Sequence, residues 1–268
     1  MTGNFQDDNR EEAMRKLFDL YKDKRRPLDK HKFPNYLAKQ ILNIEIPIKI
    51  NTIIADDIDI HFSARQPNKL LSEIDINIME AKLNNVQNIH KNKKLSLEVI
   101  GKVHNSIPFD IHIEFDYSKD ILTYNGKIHK SYINSLKKPI RSFIPIEINS
   151  GIINSMHFEG HASRTTSKGS MVFLYQDLNI EIQSDDKQKK KGMHYHLLSA
   201  AANTIMHSNN PANPDLPARK VEYTVVRDMN KGFINLIIKS ILSGVKESIL
   251  PSRENRKHYK ELRKHSKK

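Results

Sequence analysis

Ile107-Pro108-Phe109-Asp110-Ile111-His112-Ile113-Glu114-Phe115-Asp116-Tyr117 decides the fold class. Every second residue is apolar, and those between are proline, aspartate, histidine and glutamate. Side chains alternate across a β-strand, so a period of two builds one greasy face and one polar face. A turn at residues 118–120 leads into Leu122, Tyr124, Gly126 and Ile128, which makes the pair a hairpin.

The same period recurs outward in both directions. Upstream it runs through Ile58, Ile60 and Phe62, then Ile74, Ile76 and Ile78, then Leu95, Leu97 and Val99. Downstream, Ile146 and Ile148 precede a turn at residues 149–151 and a return through Met156, Phe158 and Gly160. Met171, Phe173 and Tyr175 follow, and then Leu178, Ile180 and Ile182. The spacing predicts about nine strands between residues 46 and 183, with short turns and no helix between them, hence an antiparallel meander. A β-sandwich or barrel core would show the same period.

Helical spacing appears only at the flanks. Met14, Leu17, Phe18 and Tyr21 predict a short helix over residues 11–22, and residues 35–42 predict another after Pro34. Residues 193–206 read as a third helix, after a very polar loop at 183–191. The segment 209–217 holds three prolines and three asparagines and reads as an irregular link. Val221, Tyr223 and Val225 give one more strand. Residues 231–250 form an amphipathic helix, with Ile234, Ile237, Ile238, Ile241, Leu242 and Val245 on its apolar stripe. The chain thus divides into an N-terminal helical segment (1–45), an antiparallel β region (46–230), and an amphipathic helix with a basic tail (231–268).

Composition narrows the functions. The 268 residues are Ile-rich and hold no cysteine and no tryptophan. Disulfides, thiol nucleophiles and cysteine-ligated metals are therefore excluded. The first ten residues are polar and acidic, unlike an export signal. The longest apolar run, residues 233–242, is interrupted by Asn235, Lys239 and Ser240 and is too short to span a bilayer. A net charge of +13 predicts attraction to polyanions, either nucleic acid or an anionic lipid surface. Residues 252–268 carry eight basic residues against two acidic ones, a net +6. Arg253, Arg256, Lys257, Lys260, Arg263 and Lys264 are the candidate membrane-surface residues of this segment. It also reads as a solvated tail.

No catalytic constellation is legible. The nine glycines form neither a dinucleotide nor a phosphate-loop fingerprint. Asp56 and Asp57 point to opposite faces of any strand, and Asp185 and Asp186 lie in a lysine-rich stretch. His194 and His196 fall on different sides of the helix expected there, so no metal site is assigned. Ser170 and Ser199 lack a nucleophile-elbow context. No catalytic residue, cofactor or metal is expected.

The order of segments resembles the C-terminal region of AsmA-like proteins, in particular the large envelope proteins of Bacteroidetes-type bacteria. Tyr21-Lys22-Asp23-Lys24-Arg25, then Ile48-Lys49-Ile50-Asn51-Thr52-Ile53 leading to Asp57-Ile58-Asp59-Ile60-His61-Phe62, is similar to the family's entry into its β region. Ile148-Asn149-Ser150-Gly151-Ile152, Phe158-Glu159-Gly160, Gly169-Ser170-Met171 and Tyr175-Gln176-Asp177-Leu178 resemble its closing hairpins. Arg227-Asp228 and the helix of residues 232–244 complete the series. Family members are longer and begin with a membrane anchor, so the chain would correspond to a C-terminal piece or a shortened member.

The resemblance implies an elongated, twisted sheet folded into a trough that shelters lipid between envelope membranes. Its groove would be lined by Ile107, Phe109, Ile111, Ile113, Phe115, Tyr117, Phe158 and Phe173. It further implies a non-enzymatic role in lipid handling or outer-membrane assembly, a periplasmic, membrane-associated location, and phospholipid or another envelope lipid, the membrane surface and other envelope proteins as partners. The alternatives are a cytoplasmic nucleic-acid-binding protein that uses the basic surface, and a plain adhesion or scaffolding sandwich. No helix-turn-helix or RNP-like aromatic motif supports the first of these.

Overall fold

In the computed structural model, which describes residues 36–64, 72–89, 93–137, 146–182, 208–228 and 231–265, the alternating segments pair in the order in which they occur. A short helix α1 (Leu37–Leu42) precedes β1 (Lys49–Ala64), β2 (Ser72–Gln87), β3 (Lys94–Val103), β4 (Ile107–Asp116) and β5 (Leu122–Ile128). The two-residue β6 (Ser131–Tyr132) and a 3₁₀ turn lead to β7 (Ile146–Ala162), β8 (Thr166–Ile182) and β9 (Lys220–Val226). Helices α2 (Phe233–Ile249) and α3 (Arg253–His265) close the described chain. The order across the sheet is β1-β2-β3-β4-β5-β7-β8-β9, with every neighbour antiparallel and β6 alongside β7. This is one open, twisted, trough-like sheet whose edges, β1 and β9, do not meet.

Two expected strand pairs are each one strand. Ile146–Ile148 and Met156–Gly160 belong to a single 17-residue β7, and Met171–Tyr175 and Leu178–Ile182 to a single 17-residue β8. The turn expected at residues 149–151 is a bulged stretch of β7, where the register against β8 shifts between Ile148 and Ser150 and again by Ser155. Each bulge advances the buried residue by three positions: Ile148 to Gly151, Ile153 to Met156, and Tyr175 to Leu178. An extra residue absorbed in a bulge keeps the apolar set on one face and adds right-handed twist. Asp177, at φ 52°, is the residue absorbed in β8.

The sheet is locally closed by glycine–aromatic pairs directly across its ladders. Phe109 faces Gly101, Phe158 faces Gly126, Tyr124 faces Gly160 and Tyr223 faces Gly169. A β-carbon at Gly160 would overlap the Tyr124 phenol, and one at Gly126 would come within 2.6 Å of the Phe158 ring. Rings fold down over the vacated positions and let the sheet coil tightly.

Helix α2 lies over β8 and β9. Its buried side consists of Leu236, Ile237, Ser240, Gly244, Val245, Ser248 and Ile249. The expected stripe therefore needs correcting: Ile234 is exposed, and small residues at four-residue spacing, Ser240, Gly244 and Ser248, face the sheet in its place. They bring the helix backbone close enough for Gly244 to touch Met171 and Tyr223, and for Ser240 Oγ to donate to Ser167 Oγ at 2.9 Å.

The segment after residue 252 is not only a solvated tail. It forms α3, held on the sheet by buried Asn255 and Tyr259. The Asn255 amide accepts from Glu222 N–H at 3.0 Å and donates to Glu222 C=O at 3.0 Å. One side chain thereby satisfies the free edge of β9 as a further strand would. The helices expected at 11–22 and 193–206 and the loop at 183–191 lie outside the described residues, whereas the helix expected at 35–42 is α1.

Candidate functional site

The β-ladders connect the apolar residues into rows that cross seven or eight strands. One row runs Ile53, Leu83, Leu97, Ile113, Tyr124, Gly160, Gly169, Tyr223. The next runs Ala55, Ala81, Val99, Ile111, Gly126, Phe158, Met171, Val221. A third begins Ile58, Ile78, Gly101, Phe109 and ends at Phe173. No charged side chain interrupts these rows.

The large side chains of these rows are buried on the β4 to β9 side and lose their cover toward β1. At the β9 side Tyr223 is 5% exposed, Tyr124 1% and Phe158 3%, under α2 and the sheet's own curl. Tyr36, Ala38 and Ile41 of the α1 segment close one end over Leu95, Phe115 and Tyr117, with the Tyr36 and Phe233 rings 6.5 and 5.1 Å from that of Phe115. Past Val86, Leu95 and Gly101, which are buried, the cover on β1 to β3 stops. Ile58, Ile60, Ile76, Ile78, Leu83, Leu97 and Val99 are half-buried, and Ile50 and Ile53 reach 42% and 40% exposure. The result is an apolar floor, continuous with the core, open to solvent along its β1 side.

This placement divides the expected groove residues. Ile107, Phe109, Ile113, Phe115, Tyr117, Phe158 and Phe173 share the apolar face but are buried in the chain's own core. Ile111 alone of the eight is half-exposed on the open floor. The open floor itself belongs to residues not singled out as groove lining in the sequence. β1 and β2 keep one register throughout, yet their apolar set steps by three at the same two levels: Ile50 to Ile53 opposite Val86 and Leu83, and Ala55 to Ile58 opposite Ala81 and Ile78. Asn85 and Asp57, both at positive φ, sit at these steps. The Tyr117 hydroxyl fastens the first one, donating to Asn85 C=O at 2.7 Å and accepting from Gln87 N–H.

The opposite face is mostly polar and paired, with exposed Ile54 and Ile100 among its residues. Lys94 Nζ meets Glu114 at 2.7 Å, His61 Nδ1 meets Asp75 at 2.6 Å, and Thr52 bonds Asn84 at 2.9 Å. The hydrogen bond from His61 holds the Asp75 carboxyl below its usual range, and that from Lys94 does the same for Glu114. Ser170 lies here too, bonded to Glu159 at 3.0 Å. Asp56 and Asp57 are exposed on β1. Among the described residues no group of three or more histidine, aspartate or glutamate side chains could hold a metal ion, and no helix is long and apolar enough to cross a membrane. His194, His196, Ser199, Asp185 and Asp186 lie outside the described residues.

Of the basic residues expected at a membrane surface, Arg253, Arg256, Lys257 and Lys260 are exposed on α3, and Arg263 and Lys264 continue that helix. Arg219, which no sequence reading singled out, and Arg227, quoted above only for the resemblance, are both buried. Arg219 donates to Ser248 C=O at 3.2 Å and stacks over the Tyr259 ring, and Arg227 stacks over Tyr36 at 4.5 Å. Both cations bind helices to the sheet, α3 through Tyr259 and the α1 segment through Tyr36. No family model, no curated protein and no solved structure matches this chain.

Proposed function

We propose that this chain is a non-enzymatic lipid-handling module of the bacterial cell envelope, in which acyl chains lie on the uncovered apolar floor of β1 to β3. The observation that carries the reading is the unbroken set of apolar rows leaving the core with no charge on them and ending half-exposed at Ile53, Ile58 and Ile78. Burial of methylenes there recovers ~0.8 kcal/mol each, so six to eight of them supply about 5–6 kcal/mol without any headgroup contact. Resemblance to AsmA-like envelope proteins supports the same partner, and with it a periplasmic, membrane-associated location and a part in outer-membrane assembly. Catalysis has no role in it.

The test is mass spectrometry of lipid on protein gently extracted from fractionated cells. Envelope fractionation with bound phospholipid is the expected result. Ile58→Asp with Ile78→Asp should remove the lipid and leave the β spectrum intact. Protein found in the cytosol without lipid overturns the reading.

A further inference from the structure

The basic C-terminal helix has a side of its own. At 3.6 residues per turn, Arg253, Arg256, Lys257 and Lys260 fall within about 100° of arc around α3, and all four are exposed. Asn255 and Tyr259, which are buried, point away from that arc toward the sheet, and Leu262 beside them is half-buried. Glu254 and Glu261 lie together on the flank beyond Lys257, outside the arc. The helix carries a sorted surface: one side reserved for docking, one side only basic.

Docking fixes where that side sits. Asn255 occupies the Glu222 edge of β9, and the Tyr259 hydroxyl donates to Pro217 C=O at 3.3 Å while Arg219 lies over its ring. Four contacts through two residues of α3 hold it against the capped edge of the sheet, seven strands away from the open floor at β1. The apolar residues of α3, buried Tyr259 and half-buried Leu262, are turned to the sheet, so this helix has no exposed apolar side to insert between lipids.

We propose that this exposed side of α3 is a docking surface for an anionic phospholipid membrane, held by charge alone and with no insertion of side chains into the acyl region. The choice of a membrane rests on the lipid-handling reading and on one feature of the helix: its basic side carries no ring to stack on bases, since Tyr259 is buried and the exposed His258 falls about 100° outside the arc. Docked in this way, the protein meets the membrane at the β9 edge.

The experiment is vesicle flotation of the full chain on phosphatidylcholine vesicles with and without phosphatidylglycerol, at low and high salt. Binding should need phosphatidylglycerol and vanish at high salt. Each basic residue near an anionic surface is worth about fivefold in affinity, so Arg256→Gln, Lys257→Gln and Lys260→Gln together should weaken binding on the order of a hundredfold with no change in melting temperature. Wild-type binding that persists at high salt or on pure phosphatidylcholine overturns the proposal, as does a triple variant that floats like wild type. Structured RNA that displaces the protein from vesicles at equimolar phosphate overturns the choice of partner. The floor variant, Ile58→Asp with Ile78→Asp, separates this proposal from the lipid-floor reading, because it should lose copurified lipid and still float.

Discussion

At the scale of single residues, the coil of the sheet depends on four missing β-carbons. Gly126 lies under the Phe158 ring, which is 3% exposed and cannot swing aside into solvent. Gly126→Ala should therefore destabilise by about 1–3 kcal/mol, the usual cost of overpacking a filled core, although alanine suits a strand no worse than glycine. Chemical denaturation measures it, and a neutral result would mean that the ring is free to move. Asp75 tests the opposite, exposed face. Its folded pKa is depressed, first by the His61 hydrogen bond, so its contribution is complete above the unfolded value of 3.8 and is lost as pH falls through the lower folded one. The group is solvent-screened, so Asp75→Asn should cost under about 1 kcal/mol at neutral pH, and the difference from wild type should close in acid. A gap that widened in acid would contradict the assigned partner.

At the scale of elements, the strands were legible and their joins were not. Strict alternation from Ile107 to Tyr117 marks β4 because that strand is unbulged and one side of it is core. β7 and β8 read as two strands each because a bulge and a turn leave the same mark in sequence, a polar residue or glycine out of phase. What separates them is the partner strand, as Ile146↔Ile182 and Ala162↔Ser167 bracket one continuous ladder. The buried stripe of α2 was misplaced for a related reason: Ser240, Gly244 and Ser248 are polar or small by type and buried by position, because helix and sheet backbones approach each other there. Asn255 was invisible as an edge cap, since nothing in a basic, polar segment signals a buried amide. Its removal is a direct test. Asn255→Ala strips the Glu222 N–H and C=O of their partner and should cost about 1–2 kcal/mol, with faster exchange of the Glu222 amide than of its β9 neighbours. Unchanged exchange at Glu222 would show that α3 does not depend on this contact.

At the scale of the whole molecule, the two edges of the sheet are treated differently, and the floor between them inherits that difference. The β9 edge is met by Asn255, with α2 packed over β8 and β9, whereas β1 presents 16 residues with Ile50 and Ile53 exposed on the floor side. Charged Lys49, Asp56, Asp57 and Asp59, with two steps in the strand, discourage another strand from pairing along it. The edge is thus guarded against a strand while its floor stays apolar, a combination that suits a flexible apolar occupant better than a second protein strand. Stability should follow the same gradient. Phe115→Ala, at a fully buried ring, should cost about 3–5 kcal/mol, whereas Ile58→Ala on the open floor should cost under half of that, because much of its surface is already wet. Hydrogen exchange gives the second reading: amides of β1 and β2 should exchange faster than those of β7 and β8 in lipid-free protein, and bound lipid should slow the first pair and leave the second unchanged. Protection that rose equally across the sheet would place the lipid somewhere other than this floor.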